Sequence, residues 1–415
     1  MEQAAVAIVG GGASGLAAAI AAARLGAGPV AVLEKQDRVG KKLLATGNGR
    51  CNLENRDSDA ACHYHTADGS TLRRMLEQIP SAQVLRFFEK GGLLWSEGAE
   101  GRVYPSGNQA AIVLDTLRLE ALGRGVQELC GFAVESIRPA KGGWLLEGGG
   151  KALLARRVVL ACGGMAAPKL GGGEDGYRLA RQLGHTVTKL YPCLAALRCR
   201  ADGLAALKGV RAVCGVRLLA RGKELASETG EVQFTEYGLS GIPAMQLSSR
   251  LPAGGCEAEV DVFPALDRSR LTAMLHQRRK SGLYPTLESL LTGLLHKKLA
   301  VYLLKAANIG PLGLPPSRLR PADIDALAGL LKGWRLPVTG TAGGWDGAQV
   351  TGGGVPLAEV EPDSFASRCA KGVYLTGELL DAVGDCGGFN LHWAFGSGIA
   401  AGRAAAQSLT KPGRV

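Results

Sequence analysis

The feature that most constrains the fold of this chain is a glycine-rich turn near its N-terminus. An apolar, β-branched run of strand length, Val6–Val9, leads directly into Gly10-x-Gly12-x-x-Gly15. In such a turn the first glycine allows a tight strand-to-helix turn and the second lets the backbone approach a pyrophosphate. The third lets helix and strand pack closely. Because this pattern alone is weak evidence, its surroundings decide what it means.

The surroundings of this turn contain each element that a dinucleotide site requires. An Ala/Leu-rich helix is predicted over about Ser14–Leu25, and a second buried strand over Pro29–Leu33 ends at Glu34. The helix N-terminus offers free N–H groups and a positive dipole end to phosphates. A carboxylate at the end of the second strand can accept hydrogen bonds from a ribose diol. The stretch therefore predicts a βαβ unit that binds a dinucleotide, either FAD or NAD.

Length and composition predict a folded protein with more than one core. A chain of 415 residues is too long for a single core, so we expect two or three domains. Hydrophobic residues make up 46% of the chain, which is enough for large cores. Glycine occurs 61 times, about twice its usual share. Much of that excess lies in candidate ligand loops, so the sequence is not of low complexity.

Apolar runs, cysteines and histidines indicate the compartment. No apolar run reaches ~18 residues, so no membrane span is expected. Glu2 stands where a signal peptide would have a basic segment. The ten cysteines are scattered without CxxC spacing, and the six histidines do not cluster along the sequence. We therefore expect a reducing cytoplasm, no zinc or other metal site, and cysteines that serve mostly as small core residues.

The positive charge of the chain is unevenly spread. The formal net charge is +11, and Ala265–Arg335 contains twelve basic residues against four acidic ones. Such a segment suits either a polyanionic partner or a solvated basic surface.

Two stretches after the first βαβ unit are expected to extend a dinucleotide site. The loop that follows Lys35 carries Lys42 and Arg50 among glycines and asparagines. Its cations and free N–H groups suit a diphosphate, and a solvated surface loop is the alternative. Further on, the backbone near Phe132–Ala133 can clamp an adenine.

A later strand offers another ligand position and a second glycine pattern. Ala155–Ala161 reads as a buried parallel strand that ends in Cys162-Gly163-Gly164, where ligands of open α/β sheets sit. Gly171-x-Gly173-x-x-Gly176 then repeats the GxGxxG pattern. The preceding strand ends ten residues earlier, with Pro168 between, so the context is wrong for a second dinucleotide site. We interpret it as a loop over the cofactor.

The order of elements predicts an α/β protein with a Rossmann-like cofactor domain built from both termini. Residues 1–190 and 345–415 are expected to form that domain. Short alternating strands at 191–265 and 332–344 predict a β-rich insertion domain, and 266–331 reads as a basic helical subdomain.

The C-terminal stretch favours FAD over NAD. Gly377 and Glu378 follow the last buried strand, and Glu378 or Asp385 could order the ribityl chain and the pyrophosphate side. The N–H groups of Gly388–Leu391, at a helix N-terminus, would point at the N1/C2=O edge of a flavin. Reduction places negative charge at that edge, and the positive helix end would stabilise it. Small residues from Gly396 to Gly402 suit a helix that packs tightly under a cofactor.

Six motifs together resemble those of the BaiN/RdsA family of bacterial FAD-dependent oxidoreductases. They cover most of the chain and read GGGASG, TGNGRCNLEN, ACGGMAAPKLGGGEDGYRLARQLGH, FTEYGLSG, TGGGVPLAE and GDCGGFNLHWAFGSG. The resemblance implies a split FAD domain, a β-rich insertion and a helical subdomain. The motif FTEYGLSG departs from the family pattern at two positions. Glu236 replaces an expected histidine, and Ile242 separates Gly241 from Pro243.

The resemblance leaves several reactions open. Members of the family include a dihydrouridine synthase of ribosomal RNA, a reductase of an unsaturated 3-oxo bile acid and an aminoacetone oxidase. The first two chemistries reduce a C=C bond that a carbonyl polarises, by hydride from the flavin and a proton from an acid. The basic segment favours uridine in ribosomal RNA, with NAD(P)H as the expected electron donor. A small-molecule enone reductase and an amine oxidase that makes H2O2 are the alternatives.

Four residues are candidates for the proton donor. Cys386 and His392 flank the turn expected to face the flavin, and Cys51 and Tyr237 follow. For each cysteine, a buried inert thiol is the competing interpretation. The residues expected to bind the cofactor are Gly10, Gly12, Ala13, Ser14, Gly15, Glu34, Lys35, Lys42, Leu43, Gly49, Arg50, Cys51, Asn52, Ala133, Ala161, Cys162, Gly163, Gly377, Glu378, Asp385, Gly388, Phe389, Asn390 and Leu391.

Overall fold

A computed structural model describes residues 2–252 and 254–410 of the chain. It divides into two compact units. The first comprises the chain up to Pro192 together with the part from Gln349 onward, and the second is Cys193–Ala348. These bounds lie close to the boundaries expected at 190 and 345.

The helices and strands of the described residues are as follows. Helices are α1 (Ala13–Arg24), α2 (Lys41–Ala45), α3 (Gly69–Gln78), α4 (Ser81–Lys90), α5 (Ala110–Gly123), α6 (Asp175–Gln182), α7 (Ile242–Ser248), α8 (Arg268–Lys280), α9 (Lys297–Ala307), α10 (Pro321–Lys332), α11 (Gly344–Gly347) and α12 (Phe389–Thr410). Strands are β1 (Glu2–Val9), β2 (Val30–Glu34), β3 (Glu54–Asn55), β4 (Tyr64–His65), β5 (Trp95–Glu97), β6 (Arg102–Pro105), β7 (Gln127–Cys130), β8 (Ser136–Ala140), β9 (Gly143–Gly148), β10 (Lys151–Leu160), β11 (Tyr191–Cys193), β12 (Leu197–Cys199), β13 (Arg211–Ala220), β14 (Lys223–Thr235), β15 (Gly238–Ser240), β16 (Cys256–Asp261), β17 (Trp334–Thr341), β18 (Val350–Gly352), β19 (Val373–Leu375) and β20 (Val383–Gly384).

A seven-stranded sheet forms the framework of the first unit. Its strand order is β7-β2-β1-β10-β9-β8, and β19 pairs with the end of β10. Strands β7, β2, β1, β10 and β19 run parallel, whereas β9 and β8 join antiparallel. Strand β1 is buried from Ala4 to Val9, as expected for a parallel strand covered on both faces. Because β1 and β19 lie in one sheet, the prediction of an α/β, Rossmann-like domain built from both ends is confirmed.

Small residues let α12 pack directly on α1. A Cβ on Gly398 would lie 2.2 Å from the carbonyl oxygen of Ser14, and one on Gly402 would lie 2.1 Å from that of Ala18. The two helix backbones are therefore in contact. The small residues of α12 were expected to let the helix pack tightly under a cofactor, and in the structure Gly398 and Gly402 pack the last helix on the first.

The second unit is a closed barrel covered by helices. The barrel order is β12-β15-β14-β13-β16-β17, and β17 also pairs with β12. Helices α8, α9 and α10 share one hydrophobic core with the barrel, to which Leu275, Leu303 and Leu327 contribute beside Phe234. The structure therefore does not set the helical segment 266–331 apart from the β-rich part.

Within the described residues, no helix is both long enough and apolar enough to cross a lipid bilayer.

Candidate functional site

The glycine-rich turn between β1 and α1 has the shape that a pyrophosphate needs. Gly10 adopts a φ of +105°, and a Cβ there would lie 2.4 Å from the carbonyl oxygen of Ala161. A Cβ on Gly15 would lie 1.9 Å from the carbonyl oxygen of Gly10, so helix and strand touch at this point. A Cβ on Gly12 would meet no atom within 4 Å. The N-terminus of α1, which begins at Ala13, therefore opens onto space that phosphate oxygens can occupy.

The carboxylate of Glu34 is held at the end of β2 by two backbone groups. Its Oε2 accepts a hydrogen bond from the N–H of Gly11 at 2.8 Å, and its Oε1 accepts one from the N–H of Gln36 at 2.8 Å. The carbonyl of Glu34 accepts from the N–H of Phe132 at 2.9 Å. This bond places Phe132 and the exposed Ala133 beside Glu34, where a ribose and an adenine would meet.

We expect Glu34→Ala to weaken FAD binding. A hydrogen bond to a charged group contributes about 1.5–3 kcal/mol, so the dissociation constant should rise roughly 10- to 100-fold. Quenching of flavin fluorescence during titration of apoprotein measures it. Glu128→Ala is the control, because this carboxylate lies on neighbouring β7 and pairs with Arg118. Equal FAD affinity in the two variants would remove Glu34 from the site.

Two lysines expected to bind the cofactor are engaged with carboxylates. The Nζ of Lys42 lies 2.7 Å from Oε2 of Glu378, and the Nζ of Lys35 lies 2.7 Å from Oδ2 of Asp175. Glu378 also accepts a hydrogen bond from the N–H of Thr351 at 2.8 Å. The first pair ties the loop after β2 to the end of β19. Sequence reasoning assigned Lys42 and Glu378 to the cofactor separately and did not foresee this contact.

The rest of this loop divides into exposed and buried positions. Gly49 and Arg50 are exposed, and the Arg50 guanidinium lies 5.3 Å from the ring centre of Tyr104. Leu43 is buried in the core of the first unit. Oδ1 of Asn52 is buried, and within the described residues it has no hydrogen-bond partner. An unpaired buried acceptor is costly, so Asn52 fits a position where a polar cofactor edge donates a hydrogen bond.

Cys51 does not reach a surface from which it could protonate a substrate. Its side chain is fully buried, and burial raises the pKa of the thiol to about 12. The structure therefore supports the buried-thiol interpretation of this candidate. Cys162 has a similar character, because partial burial raises its pKa to about 12 and its Sγ lies 3.5 Å from the carbonyl oxygen of Val9.

Thiol labelling should separate Cys51 from Cys62. A thiol with a pKa near 12 is almost wholly protonated at neutral pH, and the protonated form does not attack iodoacetamide. Exposed Cys62 should be alkylated in the folded protein, and Cys51 only after unfolding. Peptide mass spectrometry before and after denaturant measures both. Equal rates at Cys51 and Cys62 in the folded protein would contradict the burial described here.

The turn before α12 meets the loop that carries Asn52. Gly387 and Gly388 have φ values of +129° and +111°, and a Cβ on Gly388 would lie 2.5 Å from the carbonyl oxygen of Glu54. Nδ2 of Asn55 donates to the carbonyl of Gly387 at 2.8 Å. The side chain of Asn390 closes the turn by bonding both the N–H and the carbonyl of Gly384, at 2.8 and 2.7 Å. The motifs TGNGRCNLEN and GDCGGFNLHWAFGSG are thus in contact with each other.

The beginning of α12 leaves its first N–H groups at this turn. Phe389 is buried and Leu391 is partly buried against the same core. The N–H of His392 donates to the carbonyl of Gly388 at 2.9 Å, so the helical bonding starts there. Gly377, at the end of β19, has a φ of +65° and packs against Oγ of Ser14, which is also buried.

His392 is part of a fully buried pair that sequence reasoning missed. Its Nδ1 lies 2.8 Å from Oε2 of Glu54, and both side chains are 0% exposed. Within the described residues, no hydrogen-bond partner reaches its Nε2. This position argues against direct proton transfer from His392 to a substrate. Glu54 stands 338 residues away in sequence, so no local pattern could have paired them.

Two further histidines gather around Asp385. Nε2 of His65 lies 2.8 Å from Oδ1 of Asp385, and Nδ1 of His63 lies 3.4 Å from Oδ2. The ring of His63 stacks on that of Phe389, with centroids 4.3 Å apart and an angle of 20°. The sequence did not suggest a histidine cluster, and the pairing of β4 with β20 creates this one. Asp385, expected at the cofactor, is thus engaged by imidazoles, and half-buried Cys386 follows it.

The remaining candidates are Tyr237, Ala161 and Gly163. Tyr237 is 36% exposed in the turn between β14 and β15 of the second unit. Its neighbour Glu236 pairs with Lys208 at 2.6 Å, which explains how the chain accommodates an acid at that motif position. Gly163, with a φ of +71°, follows the buried Ala161 at the end of β10.

One group of potential metal ligands occurs among the described residues. The ligand atoms of His185, Glu359 and Cys369 all lie within 4.8 Å of one another. Both ring nitrogens of His185 are already bonded, Nδ1 to Glu359 at 2.9 Å and Nε2 to Oγ of Ser367 at 2.7 Å. The geometry is therefore that of a hydrogen-bonded network that joins the end of α6 to the chain before β19.

A known protein family matches nearly the whole chain. The model of the HI0933-like protein Rossmann domain matches residues 4–404. The chain belongs to the HI0933-like family. The similarity to the BaiN/RdsA oxidoreductases inferred from the six motifs is thereby confirmed, and the family is one of FAD-binding Rossmann proteins.

Curated relatives of this family member carry two different names. It is 42% identical over 408 residues to a Clostridium scindens protein named 3-dehydro-bile acid delta(4,6)-reductase, covering 97% of this chain and 99% of that one. It is 28% identical to an Escherichia coli K12 protein named ribosomal RNA dihydrouridine synthase, covering 96% of each chain. The chain is therefore an enzyme, a flavin-dependent oxidoreductase.

Solved structures show the same fold at low identity. A 3-ketosteroid-delta4-(5alpha)-dehydrogenase from Rhodococcus jostii RHA1 aligns with a TM-score of 0.51 and 18% identity, over 98% of this chain and 97% of that one. A 3-ketosteroid delta1-dehydrogenase from Sterolibacterium denitrificans aligns with a TM-score of 0.54 and 16% identity, over 98% and 100%. At this identity the likeness establishes the fold alone.

Proposed function

We propose that this enzyme reduces a carbonyl-conjugated C=C bond of a steroid-like small molecule such as a 3-oxo bile acid, with NAD(P)H as electron donor. The observation that carries the proposal is the identity of 42% to a protein named as a bile-acid reductase, across 97% of the chain. This identity favours a small-molecule substrate over ribosomal RNA, the substrate that the charge distribution favoured.

The residues described above can each serve this chemistry. When bound, reduced FAD supplies a hydride to the carbon β to the carbonyl. The turn from Gly10 to Gly15 and the carboxylate of Glu34 hold the nucleotide end. The N–H groups at the start of α12 place a positive dipole end at the other end of the site, where it stabilises negative charge that develops on reduction.

The basic residues of the second unit support RNA binding less than their number suggested. Six of the twelve basic residues bond carbonyls or carboxylates of the same unit, which are Arg278, Arg279, Lys297, Arg320, Lys332 and Arg335. Arg278 and Arg279 donate to carbonyls of their own unit, at Leu290 and Leu319. Cations already engaged in this way contribute less to counterion release from a polyanion.

Ribosomal RNA stays as the second candidate substrate. Two relatives with 26–28% identity bear the name ribosomal RNA dihydrouridine synthase. The other six basic residues of the segment are exposed, and these are Arg268, Arg270, Lys280, Lys298, Lys305 and Arg318. They are the positions at which a phosphate backbone would bind.

A parallel assay separates the two substrates. Purified holoenzyme with NADH or NADPH is given a 3-oxo-4,6-diene bile acid in one vessel and unmodified ribosomal RNA in another, without oxygen. We expect the dienone to gain one hydride and one proton by mass spectrometry, and no dihydrouridine in the RNA. Dihydrouridine without reduction of the dienone would reverse the ranking. H2O2 formed in air with aminoacetone, and no reduction of either substrate, would favour an oxidase.

A further inference from the structure

We propose that His63 donates the proton that completes reduction of the C=C bond, and that Asp385 positions its ring. The inference rests on the proposed function, because it concerns the second half of that reaction. Neither the family assignment nor the sequence motifs single out His63.

Two contacts fix His63 beside the turn that we place at the flavin. The N–H of Asp385, one residue past β20, donates to the carbonyl of His63 at 2.8 Å. The imidazole of His63 stacks on Phe389, the first residue of α12. Backbone and ring thus hold His63 against the turn whose N–H groups we place at the flavin.

The imidazole is also oriented and accessible. Nδ1 faces the carboxylate of Asp385 at 3.4 Å, which leaves Nε2 on the opposite side of the ring. The side chain of His63 is 34% exposed, whereas that of Asp385 is 14% exposed. A partly exposed ring can reach a substrate and can then recover a proton from solvent.

The other candidates for the donor are less suitable. Cys51 and His392 are buried, the first with a thiol pKa of about 12 and the second against Glu54. Tyr237 directly follows Glu236, which replaces the histidine expected in that motif. Cys386 remains as the rival, because it is half-buried in the same turn.

The hydride is transferred first and the proton second. The hydride forms a C–H bond at the β-carbon with its own electron pair, and the π electrons of the C=C bond move toward the carbonyl as an enolate. Nε2–H of the protonated His63 breaks, its proton forms the new C–H bond at the α-carbon, and the electron pair stays on Nε2. The neutral ring takes up a proton from water, and NAD(P)H provides the hydride for the next cycle.

Stopped-flow kinetics of His63→Gln test the proposal. Reoxidation of the reduced holoenzyme by the dienone should slow by about 10²-fold or more, which is the usual contribution of a general acid. Reduction of the enzyme by NAD(P)H should keep its wild-type rate, because that step needs no proton from His63. Added imidazole should restore part of the reoxidation rate of His63→Ala, which a purely structural role would not allow.

Matched variants identify which side chain donates the proton. His276→Gln is the control, since His276 is a half-exposed histidine that pairs with Asp325 at 2.9 Å in the second unit. Asp385→Asn should slow reoxidation less than His63→Gln and should remain insensitive to imidazole. If Cys386→Ser loses the reoxidation step and His63→Gln does not, the proposal is overturned in favour of Cys386.

Chemical modification of His63 tests the proposal without requiring turnover. Diethyl pyrocarbonate should modify His63 in the wild-type protein, and the saturated ketone product should protect it, while His276 reacts equally with and without the product. Unprotected His63 in the presence of saturating ketone would overturn the proposal even if His63→Gln fails to fold. A wild-type enzyme that reduces no dienone would instead refute the proposed function itself.

Discussion

Gly398→Leu should strongly destabilise the first unit and release its FAD. A side chain at this position would start 2.2 Å from the carbonyl oxygen of Ser14, inside the backbone of α1. No rotamer relieves that contact, because the clash already involves Cβ. Overpacking of a core costs about 1–3 kcal/mol and sometimes more, and here two helix backbones must separate. Because α1 carries the phosphate-binding turn at its N-terminus, loss of packing should also abolish cofactor binding.

Urea unfolding followed by circular dichroism and the flavin retained after gel filtration measure both effects. Gly69→Leu is the matched control, since Gly69 is exposed at the start of α3 and a Cβ there meets nothing within 4 Å. We expect the control to keep FAD and to lose little stability. A Gly398→Leu protein that retains its flavin and unfolds at the wild-type urea concentration would contradict the contact between α1 and α12.

Glu54→Leu should destabilise the first unit by about 3–5 kcal/mol, the usual cost of removing one partner from a buried pair. The imidazole of His392 would lose its partner at 2.8 Å, in a place that water does not reach. Glu54→Gln keeps an acceptor for Nδ1–H and should lose only about 1 kcal/mol. The order of the two variants matters more than either value, because Glu54→Gln keeps the hydrogen bond to His392 and Glu54→Leu removes it.

A double variant tests whether the side chains of Glu54 and His392 interact. Glu54→Leu combined with His392→Leu removes both polar groups, and replacing a buried pair by apolar residues is often neutral. We expect the double variant to be more stable than Glu54→Leu, with a coupling energy of about 0.5–3 kcal/mol in chemical denaturation. Strict additivity of the two single changes would show that the side chains do not interact.

Local sequence signals predicted the parts of the site that neighbouring residues build. Val6–Val9, the glycine turn and Glu34 lie within one βαβ unit, where each element follows the last directly. The strand β19 and the helix α12 were found the same way, from a buried run and a Gly-Gly-Phe turn. Their common domain with β1 and β2 was predicted from the order of elements along the chain.

Contacts between distant segments escaped prediction because no periodicity encodes them. Glu54 meets His392, and Lys42 meets Glu378, across more than three hundred residues. His63 reaches Asp385 only because β4 pairs with β20, and strands of two residues leave no readable alternation. For a related reason, the positive charge of residues 265–335 favoured an RNA substrate more strongly than their contacts do. A count of cations does not show that Arg278 or Lys332 donates to carbonyls of its own unit.

Anaerobic reoxidation of the enzyme's flavin by an enone tests the proposed reaction most directly. The purified yellow protein is reduced with one equivalent of dithionite and mixed with a 3-oxo-4,6-diene bile acid, and the flavin absorbance is followed. We predict that the oxidised spectrum returns and that one molecule of reduced product forms per flavin. A flavin that stays reduced with the dienone but is reoxidised by unmodified ribosomal RNA would contradict the account, as would a purified protein that binds no FAD.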